Sequence, residues 1–470
     1  RCARNERRGS GALKEGYAFY DITAWSLPLA FGVEAYWTED AGAVQRDPIS
    51  LADSTSTVAG GVQNGRAQIA YIIPYDTVAA STLAFRLQRE GFRIGVSMKT
   101  LNAGGRTWPR GTIVARVSRN PETLHDAIAR LSRETGANVW GVNSGFYETG
   151  ETGVGSEDVA TLKPPRILMV ADEGVDQSSY GALWWLFDQS GVDFTPMTIA
   201  NIKRAELDRY NVIIMPDGSP DRYFSSFGKS GIETLRSWVQ KGGSLICIKG
   251  AAVFAALKEV NLTSSKLVGS DEDDEKGQKP EEGKAAPAQS PTPHMEAGGA
   301  GAQAGTRRRQ QGAGQTATEQ QREETDQTEK LEGVAPELPL IASPSARPGV
   351  VPEAVPGAIM RATIDRTTYL TYGYEDTQLP VLVNSGYFFR PSKEGTNAVI
   401  FSPDEKQQLR ISGFVWPNNT ERLLRGTAYV IEEHAGRGHV ILFAEEPNFR
   451  GIWRTTIRLF FNAILFPSAM

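Results

Sequence analysis

At 470 residues, with a net charge of −5 and 40% apolar side chains, the chain is long enough for two or three domains and too lightly apolar to be folded throughout. The charge gives no reason to expect nucleic acid or an anionic membrane as partner, and no apolar run approaches the roughly 20 residues of a bilayer span. Two cysteines, Cys2 and Cys247, exclude a disulfide framework, and a start at Arg1 without an apolar leader is expected of a fragment or processed form.

Residues 1–65 show no regular pattern. From 66 to 160 a small α/β domain is expected. There Gln68–Pro74 and Phe92–Met98 are strands around a helix at Val78–Gly91, and Gly111–Val117 and Ala137–Val142 flank a second helix at Pro121–Gly136, with Asn120 as its N-cap. Residues 161–263 then alternate apolar strands (Arg166–Ala171, Tyr210–Gly218, Gly242–Gly250) with helices, one of them opening at Ser178 and closing at Gly191. Strands that are apolar throughout and alternate with helices indicate a parallel sheet covered on both faces. Residues 264–355 hold an acidic block, a Pro/Ala stretch, Arg307–Arg309 and a Gln/Glu-rich run, with almost no aliphatic side chains to offset the entropy of ordering. This segment is expected to be a disordered insertion within one domain, which resumes over 356–470 with strands near Ala398–Ser402, Thr427–His434 and Gly438–Glu446 and a closing helix at Trp453–Phe466.

Ligands of open parallel sheets bind beyond the C-terminal strand ends. Asp172, Asp217, Gly218, Gly250, Glu445, Glu446 and Arg450 fall there, a carboxylate-rich rim with one arginine. Glu432, Glu433, His434 and His439 have the right side-chain types for a metal. Gly436 and Gly438 place them at a hairpin tip, where exposed charged residues are common, and no metal is expected. His125 follows Glu122 at helical spacing and is expected to form a surface pair, while Trp184, Trp185 and Phe187 are expected to pack in a core.

Residues 166–466 resemble the class I glutamine amidotransferase-like fold, in which a pattern like G-x-C-x-G sets a thiol on a sharp strand-to-helix turn. Here the turn reads Cys247-Ile248-Lys249-Gly250-Ala251. Aligned on Gly250, the nucleophile position falls on Ile248, and Ala444 in Phe443-Ala444-Glu445-Glu446-Pro447 replaces the family's histidine. No catalytic residue is therefore expected, and Cys247 is expected to be a core side chain. The resemblance gives the fold class: an N-terminal α/β region followed by a doubly wound, mostly parallel, flavodoxin-like or amidotransferase-like domain with the long insertion.

A second resemblance spans nearly all of the patterned chain. Phe19–Val33 (FYDITAWSLPLAFGV), AYIIPYDTVAASTLAFRLQREGFRI, RGTIVARV, PPRILMVADEGVDQSSYGALWWLFDQ and GRGHVILFAEEPNFRGIWRTTIRLFFNAILF occur in the order found in the downstream half of large bacterial zinc carboxypeptidases of the carboxypeptidase A type. That family requires a His-x-x-Glu pair, whereas His125, His294, His434 and His439 are followed at the third position by Ile128, Ala297, Arg437 and Leu442. The resemblance therefore implies a non-catalytic accessory portion, with residues 1–65 a remnant after an absent peptidase domain. It implies zinc only in that upstream domain, which would be the partner, and a secreted or periplasmic setting. The alternatives are a free-standing module for a polar or sugar-like small molecule or peptide, and a thiol hydrolase using Cys247.

Overall fold

The computed structural model describes residues 26–37, 39, 60–146, 150, 152–270, 351–416 and 418–470. The first short helix, α1 (Leu27–Phe31), is followed by a six-stranded sheet built from β1 (Gly61–Gln63), β2 (Ala70–Ile73), β3 (Gly95–Ser97), β6 (Ile113–Arg116), β7 (Asn138–Val142) and β8 (Val159–Thr161), with a hairpin of β4 (Leu101–Ala103) and β5 (Arg106–Trp108) inserted. Strand order is β1-β7-β2-β6-β3-β8. Helix α2 (Val78–Arg89) joins β2 to β3, and α3 (Leu124–Thr135) joins β6 to β7. Since β6 runs antiparallel to both β2 and β3, and β7 antiparallel to β2, the two expected strand–helix–strand runs interlock as a split β-α-β pair. Asn120 does not cap α3. Its amide bridges Arg93 and the Arg116 carbonyl, tying the two halves of that pair together.

The second sheet carries β9 (Ile167–Val170), β10 (Phe194–Met197), β11 (Val212–Met215) and β12 (Ser244–Ile248), with helices α4 (Gln177–Ser190), α5 (Ile199–Ile202), α6 (Pro220–Gln240) and α7 (Gly250–Ala256) between and after them. Its later strands are β13 (Gly357–Ile364), β14 (Gln378–Val383), β15 (Thr396–Ile400), β16 (Arg410–Phe414), β17 (Ala428–Ala435) and β18 (Gly438–Phe443). A short α8 (Thr420–Leu424) precedes β17, and α9 (Ile457–Leu465) closes the chain. Strands β10-β9-β11-β12-β18 are parallel, and from β18 onward the sheet is antiparallel through β17, β15, β13 and β14, with β16 on β13. The expected parallel sheet is thus half of a mixed one. Every residue of β9, β11, β12 and β18 is buried, and neighbouring side chains point to opposite faces, so both faces of the parallel half are covered.

Local chemistry sets the helix ends. Asp176, not Ser178, caps α4 by accepting from the Ser179 amide at 2.9 Å, and Gly191 ends that helix in a left-handed conformation. Ser219 caps α6, which bends at Gly228. The aromatic cores of the two sheets run together: Phe85 of α2 meets Phe461 of α9 at 5.1 Å between ring centroids, and Tyr75 meets Phe466 at 5.0 Å. Helix α1 docks on the far end of the chain. Ala30 is buried with Phe449 and Trp453, and the Arg454 and Thr455 amides donate to the Ala30 carbonyl.

Residues 271–350, the body of the expected insertion, lie outside the described residues, as do residues 1–25. The expected limits of 264 and 355 are too wide. Val268 and Val355 are buried, the Val268 amide donates to the Phe388 carbonyl, and Ser264 hydrogen-bonds Glu433. Among the described residues, no helix is long and apolar enough to cross a membrane.

Candidate functional site at the strand ends

The parallel strands β9, β11, β12 and β18 deliver Asp172, Asp217, Lys249 and Glu445–Glu446 to one edge of the sheet. Between β12 and α7 a single residue makes the whole turn. That residue is Lys249, with φ 52° and ψ −109°, a strained positive-φ conformation that costs a side-chain-bearing residue about 1–3 kcal/mol. Its surroundings hold it: its amide donates to the Phe443 carbonyl at 2.8 Å, and its carbonyl accepts from Val253 at 3.0 Å. Glycine at 250 is required by close approach, because a Cβ there would overlap the Gly218 carbonyl.

The expected register is therefore corrected by one residue. Ile248 remains inside β12, buried and paired with Phe443, and the nucleophile-type position belongs to Lys249. Cys247 lies wholly inside the sheet between Met215 and Leu442, where burial pushes its thiol well above the ordinary range. Ala444, where the amidotransferase pattern carries histidine, is buried and donates its amide to Tyr429.

Three carboxylates face the Lys249 ammonium. Asp217 accepts from the Gly218 and Gly250 amides at 2.8 and 2.9 Å through Oδ1, and its Oδ2 lies 3.3 Å from Lys249 Nζ. One oxygen of Glu445 accepts from the Asn384 amide, the Ser385 amide and the Ser385 hydroxyl at 2.7–3.0 Å, whereas its Oε2 is buried without a partner. Burial works to lower the Lys249 pKa, but Glu445, Asp217 and Glu446 outweigh it and hold the amine above its ordinary value, an ammonium at neutral pH. Burial raises Glu445, with Lys249 and the Ser385 and Asn384 donors opposing. Burial also pushes Glu446 up to about 7, helped by Asp217 and opposed by Lys249 and the Ser179 hydroxyl. Lys249 and Asp217 each keep 16% of their side chains exposed above the buried glutamates, and half-buried Tyr387 borders them. The arrangement offers a fixed ammonium donor, an unsatisfied carboxylate acceptor and a carboxyl that changes state near neutrality.

Asp217, Gly218, Gly250, Glu445 and Glu446 thus meet as expected of a rim. Asp172 is engaged elsewhere, accepting from the Glu173 amide and from the Ile199 amide at the start of α5. Arg450 stands on an exposed turn with its guanidinium over Phe449, lining an apolar cleft with Phe31, Trp185 and Arg454. Trp184 is half exposed, contrary to the expected core position, while Phe187 is fully buried. Sequence reasoning passed over Lys249, Ser385 and Asn384. A lone lysine between SLICI and GAAVFAA, in an otherwise apolar run, was the available signal.

His125 is buried rather than on the surface. Its Nδ1 lies 2.7 Å from the Tyr71 hydroxyl, and burial, with Arg66 adding to it, lowers its pKa. At the β17–β18 hairpin, Glu432, His434 and His439 bring their side-chain donor atoms within 4.8 Å of one another, while Glu433 is turned to Ser264.

No family model matches the chain, and no curated protein matches it in sequence. Among solved structures it is distantly similar to a glutamine amidotransferase from Thermotoga maritima (8% identity, TM-score 0.30, 60% of this chain and 74% of that one). It is similar to the same degree to a ThuA-like protein from Bacteroides uniformis (10%, 0.33, 63% and 89%) and to a cytoplasmic protein from Salmonella typhimurium (11%, 0.31, 64% and 97%). At such identities and scores the similarity carries no information about chemistry. The resemblance to zinc carboxypeptidases rests on the sequence segments alone.

Proposed function

We propose that this chain is a non-catalytic binding module whose rim holds a small, uncharged, polyhydroxylated ligand, and that it serves as the accessory portion of a zinc carboxypeptidase-like protein. The observation that carries the first part is Lys249 at the elbow. An ammonium kept charged by three carboxylates has no lone pair for attack, and the nearby thiol of Cys247 is sealed in the sheet. What remains is recognition. Lys249 donates and Asp217 accepts where the rim is accessible, above the buried Glu445 and Glu446, a pairing that suits the vicinal hydroxyls of a sugar-like molecule. Neutral mono- and disaccharides titrated by saturation-transfer NMR test it. Binding of at least one, lost in Asp217→Asn with the fold intact, is expected; no saccharide binding to the wild type removes the reading.

The accessory role is supported by the ordered sequence segments, and with it come zinc in an upstream domain and a secreted or periplasmic setting. Coding sequence directly before Arg1 that carries a domain with a His-x-x-Glu pair is expected. A start codon there removes the accessory role and leaves the ligand reading standing.

A further inference from the structure

A second cluster lies at the opposite end of the same sheet. Strands β17 and β18 form a hairpin whose register sets His434 directly across from His439, and Glu432 shares their face two residues before His434. Ser244, not Lys249, is the β12 partner of His439, so this cluster sits about 16 Å from the elbow at the rise of a strand. Glu432 Oε1 is 2.8 Å from His439 Nδ1 and 3.5 Å from His434 Nε2, and the two imidazole rings are 4.6 Å apart. Glu432 and His439 are almost wholly buried, while His434 is exposed. Buried Glu432 is thus paired with both histidines of the hairpin. Beside them Tyr369 stands edge-on to His439 at 6.2 Å, with a buried hydroxyl that has no hydrogen-bond partner.

The geometry points to a divalent transition-metal site, zinc first, formed by Glu432, His434 and His439. Two imidazoles and one carboxylate are a borderline-soft donor set that suits zinc over magnesium or calcium. Tetrahedral coordination at ligand distances of about 2.0–2.2 Å places donor atoms roughly 3.3–3.5 Å apart. The Glu432–His434 distance is already 3.5 Å, Glu432 and His439 stand at 2.8 Å, and all three donors lie within 4.8 Å of one another. The cation replaces the direct Glu432–His439 contact. Three protein ligands leave a fourth position on the open, His434 side for water or a ligand. This revises the expectation, drawn from histidine spacing, that the chain holds no zinc, and it stands independently of the proposed sugar-like ligand.

The test uses the chain without an affinity tag, stripped with EDTA, dialysed, and titrated with zinc chloride by calorimetry, with cobalt(II) absorption as a second readout. One zinc per chain at micromolar affinity or tighter is expected, together with the visible bands of four-coordinate cobalt. His434→Ala removes an exposed ligand and should leave the far-ultraviolet circular dichroism unchanged while weakening zinc by at least about tenfold. Glu432→Gln, which keeps the side-chain shape, should weaken it likewise. Failure of the wild type to take up zinc at micromolar concentration, or unchanged stoichiometry and affinity in folded His434→Ala, overturns the proposal.

Discussion

The two ends of the parallel half differ in how they hold buried carboxylates. At the strand C-termini, Glu445 and Glu446 are held by backbone amides, serine hydroxyls and one ammonium, all fixed by the fold. At the β17–β18 hairpin, Glu432 is paired with two imidazoles, one of them in solvent. The first end carries its own counter-charge in the Lys249 ammonium. The second is open on the His434 side. Burial alone does not define a site; what matters is whether the charge is balanced from within.

Removing the internal counter-charge should produce the largest effect. Lys249→Ala leaves Asp217, Glu445 and Glu446 facing one another, and we expect a loss of about 3–5 kcal/mol in urea unfolding at pH 8. The loss should shrink at pH 5, where Glu446 is protonated; an equal loss at both values would mean that the lysine acts through the turn and not through charge. The pH dependence of the wild type comes next. Glu446 is raised from 4.5 to about 7 on folding, so its folded form binds a proton that the unfolded chain releases. Its stabilisation is complete below pH 4.5 and is lost as pH rises through 7, up to about 3 kcal/mol. Glu446→Gln should remove that fall from a stability–pH series, and an unchanged slope would place the titration on another group.

Cys247→Ser, in the strand between the two ends, should cost about 1–3 kcal/mol, the price of a buried hydroxyl without a partner. Peptide-resolved iodoacetamide labelling should reach Cys247 only in denaturant; labelling of the native chain at neutral pH would restore the thiol hydrolase alternative. The smallest effect belongs to the open end. His434→Ala without metal should change stability by no more than about 0.5 kcal/mol, as for an ordinary surface residue. A larger loss in metal-free buffer would show that the hairpin depends on the imidazole itself and would erase the contrast between the ends.

The parallel half was legible because ILMV, VIIM and LICI are apolar at every position, the mark of strands covered on both faces. The antiparallel β13, β14 and β16 were not read, since Met360-Arg361-Ala362-Thr363 and Leu379-Pro380-Val381 mix polar or proline residues into the run. At the rim, residue types pointed to Asp217, Glu445 and Glu446, but the turn was misread by one position. Gly250 was taken as the second residue after the nucleophile, whereas its glycine is demanded by contact with the Gly218 carbonyl directly after the strained residue. The hairpin tip was legible from Gly436 and Gly438; the cross-strand meeting of His434 and His439 follows from a two-residue turn, and only its depth needed the structure.

The position of β18 has a consequence for how the chain becomes a protein. It follows β1–β17 in sequence, yet it lies between β12 and β17 and joins the parallel half to the antiparallel half. Until Gly438–Phe443 leaves the ribosome, β12 has an uncovered edge, and α9, whose phenylalanines fill the core of both sheets, is still to come. A nascent chain at that stage exposes unpaired strand edges, the condition under which chains associate wrongly. A chain ending at Gly436 should be more protease-sensitive in the second sheet, so the stretch from β18 to α9 acts as a keystone of that sheet.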